Sequence, residues 1–324
     1  MLRLTKKKLG LYLLSIILFA FPFISANSSY MLSIMVMICI YAIVAISLDL
    51  LIGYGGQISI GHAGFLSIGG YTVALSVSKF DLPFLLALLL AGIITGLIGF
   101  IIGLPAVRLS GHFLAVVTLG FGISIPLIAL NWDTVTGGYS GISVFRPSWL
   151  STDFQFYYVI LIITIIVIWM INNILNGWLG RAFVAIRESE VAAQATGINV
   201  AYYKTVMFAI SSFFTGIAGG LYAYWIGFVS PNDFSVITSF LLLGMIVVGG
   251  LASIPGAVIG TVILTVLPEL TSSFIGLTNI IIGTAIVIII LFRPYGIISI
   301  FKLKKPEEIK PSKEEGGMIK DVNI

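Results

Sequence analysis

The chain has 324 residues, of which 59% are hydrophobic and only 9% charged, whereas soluble domains carry about a quarter charged residues. That deficit excludes a soluble globular protein and points to helices in lipid, where the 35 glycines let backbones approach closely. The formal charge of +4 does not imply a nucleic-acid partner, because the basic residues gather at chain ends and in short connections rather than on one face able to track phosphates.

Arg3 and Lys6 to Lys8 precede an apolar run from Leu9 to Ile24, followed by Ser25, Ala26 and Asn27. That outline fits a cleavable signal peptide. It fits a first spanning helix as well, and because a second long apolar run follows at once, retention as the first span is expected. A span needs about 20 largely apolar residues. The further segments are Tyr30 to Ile52, Ile58 to Val77, Leu82 to Val107, Phe113 to Leu130, Phe154 to Leu175, Tyr202 to Phe228, Val236 to Val248, Ala257 to Leu267 and Leu277 to Phe292. The chain therefore reads as all-α, a polytopic membrane helix bundle of about ten transmembrane helices. The segments beginning at Val236 and Ala257 are short and read as half-helices or a broken pair around Gly249, Gly250, Pro255 and Gly256. Such breaks are tolerated at membrane depth only where they are buried in protein or line a cavity.

Cytoplasmic loops collect Lys and Arg. With the N-terminus inside and ten crossings, the inner segments hold Arg3, Lys6, Lys7, Lys8, Arg108, Arg181, Arg187, Lys204, Arg293 and the six tail lysines, 15 of the 17 basic residues. Lys79 and Arg146 alone fall outside. Both termini are thus expected in the cytoplasm. The transmembrane domain is read as 1–301, and the Lys-, Glu-, Pro- and Gly-rich tail 302–324 as cytoplasmic and disordered.

Most chemistry-bearing constellations are missing. His62 and His112 lie 50 residues apart with no carboxylate or cysteine cluster beside them, so metal-ligand spacing is absent. No Gly-x-x-x-x-Gly-Lys-Ser/Thr stretch exists, so the chain is not expected to bind ATP or any other cofactor. Cys39, the single cysteine, excludes an internal disulfide. An intramembrane enzyme would need a nucleophile with a base or a metal site, and neither is visible.

Two stretches stand out. In Gly53 to Phe65, the residues Gln57, Ser59, Gly61 and His62 begin a helix otherwise made of small and apolar residues. Polar side chains at membrane depth are expensive unless paired or facing a wet cavity, so Gln57, Ser59 and His62 are candidates for lining a substrate route; the competing reading is hydrogen-bonded glue between helices. Asp49, near the inner end of the second span, is suited to pairing with a helix N-terminus or a lysine. The second stretch runs from Gly180 to Gly197. A single helix is expected from Arg181 to Thr196, with Gly197 as its C-terminal cap and Asn199 capping the next span. Phe183, Ile186 and Ala193 supply apolar contacts and Arg187, Glu188 and Glu190 supply charge. The apolar face is narrow and the charge mixed, so docking on a protein partner is expected rather than rest on the lipid surface.

Together with Ser110 to Leu119, Thr136 to Gly141 and Phe213 to Tyr222, these stretches resemble the permeases of the branched-chain amino acid family of ATP-binding-cassette importers. The likeness spans about Leu48 to Pro294. The loop from Arg181 to Lys204 resembles the coupling segment of importer permeases, Glu-Ala-Ala, three residues, then Gly. Ala192, Ala193 and Gly197 fit, while Val191 stands where the glutamate belongs and Glu190 is one position early. The resemblance implies a second homologous permease subunit, two cytoplasmic ATPase subunits docked on Arg187, Glu190, Ala192, Ala193 and Gly197, and an extracytoplasmic substrate-binding protein delivering leucine, isoleucine or valine. A same-family permease for urea, short amides or other amino acids is the alternative. An ion-coupled secondary transporter would be expected to show intramembrane relay residues, for which only Asp49 and His62 qualify.

Overall fold

The computed structural model describes residues 29–106, 109, 111–271, 278–293 and 296–300. The expected first span from Leu9 to Ile24, Arg108 and the tail lie outside the described residues. Helix α1, Ser29–Asp49, runs on through a π-helical turn, Leu50–Tyr54. It is followed by α2 (His62–Phe80), α3 (Phe84–Ala106), α4 (His112–Asn131), α5 (Asp153–Asn176), α6 (Trp178–Glu188), α7 (Glu190–Ala195), α8 (Val200–Ile226), α9 (Val236–Gly249), α10 (Ile254–Leu270) and α11 (Thr278–Phe292).

Five described segments, Ser29–Tyr54, Phe84–Pro105, His112–Asn131, Asp153–Asn176 and Val200–Ile226, are long and apolar enough to cross a membrane. The protein is polytopic. Helix α2 is less apolar because Ser67, Thr72 and Ser76 lie on it, and all three are buried among neighbouring helices. It begins at His62 rather than at the expected Ile58, because the chain leaves the π-turn through Gly56, whose φ of +66° favours glycine, and residues 56–61 form no helix.

Helix α8 is central, packing along α3, α2 and α1. The close approach is encoded in glycine. Gly92, Gly96, Gly99 and Gly103 form one stripe of α3, and a Cβ on any of them would press on Phe213, Ser212 or Thr205 of α8. Gly69 of α2 meets the backbone of Gly216 in the same way. Large apolar side chains on α4 and α5, among them Phe113, Val116, Ile165 and Trp169, point outward, as expected where the solvent is lipid.

The expected pair of short segments is a hairpin of α9 and α10. Gly249 faces Gly256, and Gly260 faces Met245. With 14 residues, α9 is about 21 Å long, short of a hydrocarbon core of about 30 Å.

The contacts sort to two ends of the bundle. At one end, β1 (Ile142–Ser143) pairs antiparallel with β2 (Phe228–Val229), and the Arg146 guanidinium closes α8 by donating to the carbonyls of Tyr224 at 3.0 Å and Trp225 at 2.8 Å. At the other end lie α6 and α7, the α9–α10 turn and the close of α11.

Candidate functional site

The α6–α7 segment is two helices rather than the single one expected from Arg181 to Thr196. Ser189 is extended (φ −162°, ψ 114°), and its hydroxyl accepts from Ala192 N at 3.2 Å, so a serine that can cap a helix start breaks a run of good helix formers. The expected ends hold. Gly197 (φ +85°) closes α7, and Asn199 Oδ1 accepts from Tyr202 N at 3.1 Å to start α8.

The expectation that this segment turns its apolar residues to a partner is corrected. Phe183, Ile186 and Ala193 are all buried within the chain, and the Phe183 ring packs edge-on to Tyr203 of α8 at 6.4 Å. Apolar side chains beside a membrane bundle are satisfied by whichever helix lies nearest, and for Phe183 that is α8 of the same chain. The charges are engaged too. Arg187 donates to the Gly53 carbonyl in the π-turn. Glu190 pairs at 2.6 Å with Lys204, whose side chain is 5% exposed against 50% for the glutamate. Removing Glu190 would strand a buried ammonium, at a cost of about 2 kcal/mol, less than for a fully buried pair because the carboxylate is half in solvent. Ala192 and Gly197 are exposed, and Val191 is 79% exposed, so they form the open tip of the segment.

The polar stretch lies directly above. Gln57, Ser59 and His62 are all buried. Ser59 Oγ lies 3.2 Å from His62 Nδ1, and His62 Nε2 lies 2.9 Å from Ser211 Oγ of α8. Ser211 donates its single hydroxyl proton to the Ser47 carbonyl at 2.6 Å, so it must accept from His62 Nε2–H, which leaves Nδ1 to accept from Ser59. Thus α1, α2 and α8 are joined through a neutral histidine with both nitrogens occupied. Gln57 differs. Among the described residues its Nε2 has only Met207 Sδ at 3.7 Å, a weak acceptor, and its Oε1 is buried without a partner. The two candidate sites are also connected, because Arg187 lies beside Gly56 and holds Gly53, a few residues before Gln57.

A family model described as the permease component of a branched-chain amino acid transport system matches residues 30–292. The chain belongs to this family. The high-affinity branched-chain amino acid transport system permease protein LivM of Salmonella typhimurium is 33% identical over 321 residues, 90% of this chain and 75% of its own length. The probable branched-chain amino acid transport permease protein LivM of Methanocaldococcus jannaschii is 24% identical, covering 85% of this chain and 94% of its own. LivH, a high-affinity permease protein of Salmonella typhimurium, is 25% identical, covering 80% and 91%. No solved structure matches the chain.

For a permease of this family, the features missed from sequence are long-range ones. Arg146 also bridges to Asp153 at 2.7 Å and lies over the rings of Phe156 and Trp225 at 4.8 and 4.6 Å, which anchors the loop between α4 and α5. Neither this cluster nor the Lys204 partner of Glu190 has a local signature. Asp49 accepts from the backbone N–H groups of Ala252 at 2.8 Å and Ser253 at 2.9 Å, the helix-N-terminus pairing to which its position was suited.

Proposed function

We propose that this chain is one membrane subunit of an ATP-driven importer of branched-chain amino acids, spanning the bacterial cytoplasmic membrane about ten times with both termini inside. The two-ended arrangement supports the topology: Lys79 and Arg146 belong to the β-ribbon end, and Arg181, Arg187, Lys204 and Arg293 to the α6–α7 end, matching the positive-inside rule. Helices α9 and α10 run between those same ends. The relatives' names support the substrate, leucine, isoleucine or valine. LivM and LivH both occur in Salmonella typhimurium as permease proteins of a high-affinity system, which supports pairing with a second homologous permease. Specific delivery is assigned to an extracytoplasmic binding protein and ATP hydrolysis to two cytoplasmic subunits.

The observation that carries the coupling role is the anchored segment with an open tip. Its base is fixed to α8 through Phe183 and Lys204 and to the π-turn through Arg187, while Val191, Ala192 and Gly197 face solvent. Within this reading Arg187, Glu190 and Ala193 hold the segment, and Val191, Ala192 and Gly197 meet the ATPase. Of the polar trio, Ser59 and His62 join helices, and Gln57, with its unpartnered oxygen, is assigned to the substrate route. Ala193 is buried and its substitution would damage the fold, so the test falls on the tip. Val191→Asp should insert and melt like wild type, while ATPase co-purification falls about tenfold, as expected from an unpaired charge placed in an interface. Full co-purification and full uptake by Val191→Asp would refute the docking role.

A further inference from the structure

The contacts of Asp49 tie three elements into one joint. Asp49 is the last residue of α1 and is 1% exposed. Its carboxylate takes two adjacent backbone donors of the α9–α10 turn, Ala252 N and Ser253 N. Charge-assisted bonds of this kind are roughly twice as strong as neutral ones, and they sit at the positive N-terminal end of α10. Ser253 then caps that helix, its hydroxyl accepting from Gly256 N at 3.3 Å. Ala252 has a φ of +55°, a conformation that persists only where the surroundings over-determine it, and the Asp49 bond is such a restraint. One turn beyond Asp49, the Gly53 carbonyl accepts from Arg187 of α6. Gly53 is the hinge-pin of the arrangement, since a Cβ there would run into both Asp49 Oδ1 and Ala252 N.

The neighbouring stretch is tied differently. Among the described residues the Gln57 side chain bonds to α8 only through the weak contact with Met207 Sδ. A displacement of α6 therefore meets, through Gly53, a charge-assisted hydrogen-bonded path toward α9–α10, to which the Gln57 side chain adds little coupling with α8.

We infer that Asp49 is the positioning residue that makes α6, the last turn of α1 and the α9–α10 turn a single rigid body, so that movement imposed on α6 is delivered to the α9–α10 hairpin. This rests on the reading of α6–α7 as the ATPase-docking segment. The π-turn suits the task, because π-helical turns within helices are frequent at functional sites.

The test uses the assembled transporter with its ATPases and binding protein in proteoliposomes. Asp49→Ala should raise the ATP hydrolysed per substrate imported about tenfold, the factor that one charged hydrogen bond carries. Asp49→Asn, which keeps one acceptor oxygen, should restore part of the loss. A purely structural aspartate would lower hydrolysis and uptake together and leave that ratio unchanged, which overturns the proposal. Spin labels at Arg181 and Leu251, with Cys39 replaced by alanine and Asp49 intact, give a second reading that survives any folding defect of the variants. Their separation should stay constant between nucleotide-free and ATP-bound states. A change of about 5 Å, one helical-turn step, would show that α6 and the turn move independently and would overturn it as well. Failure of the docking reading is distinguished by the Val191→Asp measurement, which does not involve Asp49.

Discussion

His62 is held at Nδ1 by Ser59 and at Nε2 by Ser211, while Ser211 in turn holds the Ser47 carbonyl. Ser211→Ala strands the His62 ring N–H in a buried site, and an unsatisfied buried group costs about 1–3 kcal/mol. Its thermal midpoint should fall, and adding His62→Leu should cost less than the sum of the two single losses. Strict additivity in that cycle would mean that the contact carries no energy. Asp233, in the turn before α9, offers a pH test. Burial raises its carboxyl above the ordinary carboxylate range, against the opposing hydrogen bond from Ser230 N. A raised folded-state value means that ionisation opposes folding: the stability is present below the unfolded carboxylate range and is lost as pH rises through the folded value. Asp233→Asn keeps the acceptor without the charge. It should melt at or above wild type at neutral pH, with the gap closing in acid; a lower neutral midpoint for Asn would contradict that reading.

At the scale of elements, helix–helix distance is set by glycine. A side chain at Gly99 would occupy the space of Ser212, so Gly99→Leu should lower the thermal midpoint by an amount corresponding to about 1–3 kcal/mol of overpacking. Gly120→Ala, on α4 with nothing near its Cβ position, is the control and should be silent. Elements were legible in the sequence where their determinants are local. Gly197 and Asn199 mark helix ends because a left-handed residue and a side-chain acceptor act on their immediate neighbours. The break at Ser189 was not read, since helix propensity from Arg181 to Thr196 favours continuity and only the Ser189 cap opposes it. The fate of Phe183, Ile186 and Ala193 was misread for a different reason: an apolar face does not record whether it is covered by its own chain or by another.

At the scale of the whole molecule, hydropathy and the placement of Lys and Arg were sufficient for a polytopic bundle, because the bilayer imposes them independently of tertiary detail. The joints that would transmit force were not legible. Asp49 to Ala252 and Arg187 to Gly53 connect distant parts of the chain, with a backbone atom that has no residue-type signature at one end of each, and Glu190 to Lys204 crosses from α7 to α8 with no motif to mark it. In the proposed importer these joints serve transport powered by ATP on separate subunits. This is tested most directly by reconstituting the chain with its partner permease, ATPases and binding protein in vesicles without ion gradients and measuring leucine accumulation. Accumulation should require both enclosed ATP and the external binding protein. Accumulation driven by a proton or sodium gradient in the absence of the ATPases would contradict it.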